Sequence, residues 1–221
     1  MGDKNQLIFI KENLNKFEGP YLEIGSRDYG NTQDVRSLVS KEEGDYVGID
    51  MSEGKGVDHV LDLTLPIEEI DKVLGEKRFG TIICLSVLEH CDNPFKMCEN
   101  ISKLLKQGGR VYISAPFAWM FHGYPSDYWR FTHEGIKKLL PELDFETGYE
   151  ASSIDNEIKP VSSEIGRVHI RGGYHRREGR FIRSLWADIF KHLAKVGLFK
   201  WIFGYPYVMR PTCIYMIGTK K

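Results

Sequence analysis

Tyr21-Leu22-Glu23-Ile24-Gly25-Ser26-Arg27-Asp28-Tyr29-Gly30, followed by Tyr46-Val47-Gly48-Ile49-Asp50, is the stretch on which the fold turns. A short apolar run rich in β-formers enters a turn with glycine at both ends, and a helical pattern follows over residues 32–39. That order reads as strand, ligand loop, helix. The second apolar run ends on a lone carboxylate, Asp50, where a parallel sheet presents groups to a ligand at the carboxyl ends of its strands. Gly25 lets the backbone approach a ligand, and Asp50 is placed to accept hydrogen bonds from ribose hydroxyls. Together they suggest a site for an adenosine cofactor.

Outward from this stretch the chain alternates. On the N-terminal side, Asp3 is a candidate N-cap, and Leu7, Ile10, Leu14 and Phe17 recur at helical spacing. The pattern predicts an amphipathic helix covering the sheet or the cofactor. On the other side, His59-Val60-Leu61 is a short strand closed by Asp62-Leu63, and Pro66 opens a helix reaching Leu74. Phe79-Gly80-Thr81-Ile82-Ile83-Cys84-Leu85 is nearly continuous in apolar residues, as a strand buried on both faces should be. It ends in Ser86-Val87-Leu88-Glu89-His90. Asn93 caps the next helix and Pro94 opens it, with Phe95, Cys98, Ile101, Leu104 and Leu105 on the inner face and Gly108-Gly109 at the end. Arg110-Val111-Tyr112-Ile113-Ser114 is a fifth strand.

Five strands alternating with helices require right-handed crossovers. The expected fold is α/β, a Rossmann-like doubly wound sheet, mostly parallel, with helices on both faces. Beyond Ala115-Pro116 comes an aromatic loop over residues 117–131. Thr132 then caps a helix through Leu140, and Phe145 to Ala151 is a sixth strand. Residues 152–180 are polar, Gly-rich and basic without periodicity, the signature of a mobile stretch. A helix or helix pair over residues 181–203 precedes a closing antiparallel strand, Cys213 to Gly218.

With 221 residues, 42% apolar and 28% charged, the chain suits one domain with an elaboration. No apolar run approaches the roughly 20 residues of a membrane span, and Met1-Gly2-Asp3-Lys4-Asn5-Gln6 lacks a basic-then-apolar leader, so a cytoplasmic location is expected. Cys84, Cys91, Cys98 and Cys213 form no C-x-x-C pair and read as free thiols, with no metal site. Charge is polarised along the chain. From Pro160 onward there are 12 Lys/Arg against 3 Asp/Glu, and before it 18 against 28. A basic tail can draw a phosphorylated or nucleotide-linked substrate or an anionic membrane, nucleic acid being the least favoured.

The chain resembles the class I S-adenosylmethionine-dependent methyltransferases, small-molecule branch of type 11, over residues 20 to about 150 plus the last strand. Leu22-Glu23-Ile24-Gly25, Gly48-Ile49-Asp50, Asp62-Leu63 and Leu85-Ser86-Val87-Leu88-Glu89-His90 carry the likeness. The resemblance implies S-adenosyl-L-methionine as cofactor, held by Glu23, Gly25, Ser26, Arg27, Asp50, Met51, Asp62, Leu63, Ser86, Val87 and His90. It also implies a single methyltransferase domain over 1–221. A cofactor half spans 20–115, acceptor-side elements span 116–150, and a basic, partly amphipathic insertion spans 152–210. One departure is that Arg27 and Tyr29 stand where the family's glycine loop has its second and third glycines. Arg27 would then point away from the cofactor or toward its carboxylate.

The same loop is a G-x-G-x-x-G without its middle glycine, and Asp50 lies 20 residues past Gly30. An NAD(P)-dependent oxidoreductase is therefore the alternative enzyme, and a non-catalytic binding protein on this fold is the third reading. The missing glycine is the one that admits a pyrophosphate, which favours the methyltransferase.

Residues 122–132, from His122 to Thr132, resemble a block in methyltransferases associated with bacterial surface-glycan biosynthesis. That local likeness implies an acceptor region. His122 and Asp127 are the candidate bases for O-methylation, with His133 and His90 behind them. Tyr128 and Trp129 would stack on a sugar or nucleoside while Arg130 pairs with a phosphate or carboxylate; the competing reading is core packing with an Asp127–Arg130 ion pair. The expected acceptor is a small molecule, sugar-derived and anionic, phosphorylated or lipid-linked. Arg167, Arg171, His175, Arg176, Arg177, Arg180 and Arg183 precede an amphipathic stretch from Leu185 to Phe203 that includes Trp186 and Trp201. It reads either as a peripheral membrane contact or as a lid or dimer helix.

Overall fold

The computed structural model describes residues 4–30, 35–39, 45–123, 125–152, 157–198 and 206–221. The Asp3 cap, the first residues of the expected 32–39 helix, Tyr124 and the 199–203 end of the amphipathic stretch lie outside them.

Five strands, β1 (Tyr21–Ile24), β2 (Tyr46–Asp50), β3 (His59–Val60), β4 (Phe79–Leu85) and β5 (Leu105–Ala118), pair in parallel in the order β3-β2-β1-β4-β5. The order reverses between β1 and β4, which opens a crevice at their carboxyl ends. The sheet then continues through short strands β6 (Leu143–Phe145), β7 (Tyr149–Ala151) and β8 (Ile158–Pro160) around β11 (Thr212–Lys220), which runs antiparallel to β5. Two further strands, β9 (Arg167–His169) and β10 (Tyr207–Met209), form a separate ribbon.

Alternation along the strands feeds two cores. Leu22, Ile24, Ile82 and Cys84 face one side, under α3 (Ile67–Leu74), α4 (Pro94–Leu104) and α5 (His133–Leu139). Tyr21, Ile83, Tyr112 and Tyr215 face the other, under α1 (Lys4–Glu12) and α2 (Arg36–Val39). Capping follows the sequence signals: Asn93 accepts from the Lys96 N–H at 3.1 Å with Pro94 at the first position of α4, and Thr132 accepts from the Gly135 N–H at 2.9 Å.

Several expectations are corrected. The inner face of α1 is Asn5, Gln6, Phe9 and Ile10, with Leu14 in a short 3₁₀ turn, because two amides find partners inside and bury as readily as leucines. Phe95 on α4 is 64% exposed, and Met97 fills the core beside Cys98. The helix stops at Leu104, and Gly108, at φ +72°, bends the ladder so that β5 begins five residues earlier than expected. The single sixth strand is two, β6 and β7, separated at residues 146–148. Residues 157–180 carry β8, β9 and a short helix α6 (Gly172–Arg177), followed by α7 (Phe181–Lys195). All four cysteines are free. Among the described residues no helix is long and apolar enough to cross a membrane.

Candidate active site

A cavity of about 850 Å³ opens at the carboxyl ends of β1, β2, β3 and β4. Every residue expected to hold the cofactor lines it: Glu23, Gly25, Ser26, Arg27, Asp50, Met51, Asp62, Leu63, Ser86, Val87 and His90. His122 and Tyr128 line it as well, whereas Asp127, Trp129 and Arg130 do not.

Backbone geometry explains the glycine turn. Gly25 has φ +76°, and a Cβ there would meet Val87 Cγ2 at 2.5 Å, so only glycine lets β1 and β4 end side by side. The next residues are tied across the crevice to the loop after β2. Asp28 N–H donates to the Lys55 carbonyl at 2.8 Å, Lys55 Nζ pairs with Asp28 Oδ2 at 2.8 Å, and Gly56, at φ +90°, packs against the Ser26 carbonyl. These ties hold the loop without the usual second and third glycines. The Arg27 guanidinium lies 5.0 Å from the centre of the Tyr29 ring and makes no ion pair among the described residues, while its aliphatic stem covers Gly54.

The two strand-end acids are only partly engaged. Asp50 Oδ1 accepts from the Ser52 N–H at 3.0 Å and Oδ2 from the Arg27 N–H at a long 3.4 Å. Asp62 Oδ1 accepts from both the N–H and the hydroxyl of Thr64 at 2.8 Å, and buried Asn100 fixes this turn by donating to the Leu63 and Leu65 carbonyls. The Ser26 hydroxyl is buried at the cavity wall with no partner among the described residues. On the floor, Gln6 Nε2 donates to the Ser86 hydroxyl at 2.7 Å, where Ser86 holds the strained φ of +54°.

The opposite wall is built by docking the aromatic loop onto the end of β4. Glu89 offers its carbonyl to the Tyr128 N–H at 2.7 Å, and the Trp129 indole donates to the Cys91 carbonyl at 2.8 Å. Arg130 clamps the loop. It donates to Asp127 at 2.5 and 2.7 Å, to the Trp129 carbonyl at 2.7 Å and to the Met120 carbonyl at 3.0 Å. Its donors are spent, so it is not an anion anchor for an acceptor. Trp129 turns its polar edge into the scaffold and is likewise not a stacking platform at the cavity. Asp127 is not a free base, because the Arg130 guanidinium holds its carboxyl well below the usual range and its side chain is fully covered. Arg130→Ala should leave that carboxylate unpaired and destabilise the fold by about 1–3 kcal/mol. Urea unfolding checks this; Arg130→Lys should recover part of the loss.

Asp127 also reaches His122. Its Oδ2 lies 3.2 Å from His122 Nδ1, which is 3.2 Å from the Met120 carbonyl. Both neighbours are acceptors, so Nδ1 carries a ring proton, and in the neutral imidazole the lone pair sits on Nε2. The same reasoning applies to His90, whose Nδ1 donates to the Ser126 carbonyl at 2.5 Å. The two rings meet edge to face at 5.0 Å. Burial lowers the His90 pKa, and burial pushes the neighbouring Glu89 carboxyl up to about 7.

Sequence reasoning missed Gln6, Leu7, Glu89 and Asn100 around this site. A buried amide or acid inside an apolar pattern carries no periodic signal. Glu89 did stand within a quoted motif, beside His90, and that adjacency was the signal available.

A doubly wound sheet with a glycine turn after β1, acids ending β2 and closing β3, and a cavity across the strand-order switch defines a nucleotide-cofactor enzyme of the Rossmann-like class. Residues 22–113 match the family model described as a methyltransferase domain. Ubiquinone biosynthesis O-methyltransferase from Dictyostelium discoideum is 35% identical over 48 residues, covering 22% of this chain and 15% of that relative. A SAM-dependent methyltransferase from Archaeoglobus fulgidus superposes with a TM-score of 0.56 at 15% identity, over 98% of this chain and 95% of that one. The 1,6-didemethyltoxoflavin-N1-methyltransferase of Burkholderia thailandensis, crystallised with S-adenosylhomocysteine, gives 0.55 at 13% identity over 98% and 76%. Residues 22–113 therefore carry a methyltransferase domain, on a fold shared with S-adenosylmethionine-dependent methyltransferases, which makes S-adenosylmethionine the cofactor to test against the cavity. The residues present fit that group: partly free strand-end acids, and a buried hydroxyl and a guanidinium without hydrogen-bond or ion-pair partner among the described residues, line one cavity.

Proposed function

We propose that this protein transfers the S-adenosylmethionine methyl group to an oxygen of a small, anionic, sugar-derived acceptor. When bound, the cofactor supplies a sulfonium methyl as electrophile. Asp50 and Asp62 accept hydrogen bonds from its ribose and adenine side, Arg27 meets its carboxylate, and Gly25 keeps the turn open. The acceptor enters along Tyr128, which is 55% exposed at the cavity mouth. His122 receives the hydroxyl proton at Nε2, and Asp127 is a positioning residue that keeps the Nδ1 tautomer.

The observation that carries the oxygen-acceptor reading is the cavity wall itself, where His122 lines the cavity with its ring held by Asp127 through Nδ1. The short match to an O-methyltransferase agrees with an oxygen acceptor, and the likeness of residues 122–132 to surface-glycan methyltransferases agrees with a sugar. Phe181, Ile182, Leu185 and Trp186 are exposed on α7 beside Arg180 and Arg183, an edge suited to an acceptor carried on lipid. The test is incubation with methyl-labelled cofactor and a panel of nucleotide-linked, phosphorylated and lipid-linked sugars. Label should enter one anionic sugar class as an acid-stable ether. Label in amines alone would remove both the oxygen and the sugar from the proposal.

A further inference from the structure

Glu89, His90 and His122 come from two segments joined across the mouth of the cavity. Each can place one ligand atom so that all three atoms lie within 4.8 Å of one another. Glu89 Oε1 and His90 Nε2 are 3.9 Å apart. Both imidazoles spend Nδ1 on a carbonyl or carboxylate, which is how a metal-binding histidine is oriented: the outer nitrogen donates to an oxygen and the inner one keeps its lone pair. Glu89 is 1% exposed, and its Oε2 has no hydrogen-bond partner among the described residues. Three groups that offer lone pairs thus converge, the Ser86 hydroxyl and the Glu89 N–H being the donors that reach the Glu89 carboxylate. A cation is the species that satisfies such a set.

We infer that Glu89, His90 and His122 form a binding site for a first-row divalent transition metal at the acceptor side of the cofactor cavity. Two imidazole nitrogens and one carboxylate oxygen select this class over magnesium or calcium, which take all-oxygen shells. Ligand distances near 2.0–2.2 Å place donors of a tetrahedral site about 3.3 Å apart, so the cluster closes by up to about 1.5 Å on loading. Three protein ligands leave open positions, and these face the cavity that His90 and His122 line. The chemical use of the site rests on the methyl-transfer reading. With a metal in place, an acceptor hydroxyl in an open position would be acidified and lose its proton to solvent, and His122 Nε2 would then serve as ligand in place of the base role it has in the metal-free site. This differs from the absence of a metal site read from the cysteines, because the ligands lie 32 residues apart and form no spaced motif.

The experiment is titration of the full-length protein with Co²⁺ and with Zn²⁺, followed by calorimetry and by visible absorption. One ion per chain should bind with a nitrogen and oxygen ligand spectrum free of thiolate charge transfer. His122→Ala and Glu89→Gln should each weaken binding at least ten-fold, and His169→Ala, which alters the separate Glu164–His169 pair, should leave it unchanged. Glu89→Gln is isosteric and decides the matter if His122→Ala does not fold by circular dichroism. No stoichiometric binding, a thiolate spectrum, or binding lost only in His169→Ala would overturn the site. S-adenosylhomocysteine titration of the same samples separates failure of this site from failure of the methyltransferase reading.

Discussion

Replacing His122 by alanine is expected to lower turnover by roughly two to four orders of magnitude while cofactor affinity stays within about two-fold. His122 is the one cavity-lining side chain with a lone-pair nitrogen on the aromatic loop, and its partner Asp127 fixes that nitrogen as Nε2. Its side chain is 25% exposed, so the truncation leaves no large void and the fold should survive. The prediction holds whether Nε2 takes the proton itself or holds a metal that acidifies the hydroxyl. Single-turnover kinetics with calorimetry on the same sample check it. A parallel fall in cofactor affinity would make His122 part of the scaffold instead.

Asp50→Ala is expected to weaken S-adenosylhomocysteine binding by about 1–3 kcal/mol, roughly 5- to 150-fold. The carboxylate ends β2 at the strand-order switch, lines the cavity and is left with acceptor capacity beyond its contacts to Ser52 and Arg27. Part of the effect comes through the loop, because the Arg27 N–H loses its acceptor. Asp50→Asn keeps the size while changing the acceptor set, and it should fall between the two. Unchanged affinity in both variants would take Asp50 out of the site.

The parallel half of the fold was legible because its signals are local. β1 and β4 are bounded in sequence where they are bounded in space, since an unbroken apolar run between turn residues has one way to be buried on both faces. Asn93-Pro94 and Thr132 announced helix starts by chemistry that needs no tertiary context. What failed depended on partners far along the chain. Asn5 and Gln6 turn inward because Ser152, Ser86 and Ser114 wait for them, at separations of 80 to 147 residues.

The residues lining the cavity were readable because they sit at strand ends, positions fixed by the fold. The aromatic loop was not, because the role of each side chain depends on which carbonyls it meets. Arg130 and Trp129 have the right chemistry for a ligand, yet the Met120 and Cys91 carbonyls take their donors. The competing ion-pair reading of Asp127 and Arg130 proved correct, and it gave Asp127 a second task in orienting His122.

The most direct test of the cofactor assignment is calorimetric titration of the purified protein with S-adenosylhomocysteine and, in parallel, with NAD. One molecule of S-adenosylhomocysteine per chain should bind and raise the melting temperature, Asp50→Ala should weaken it, and NAD should do neither. Saturable binding of NAD with none of S-adenosylhomocysteine would contradict the account.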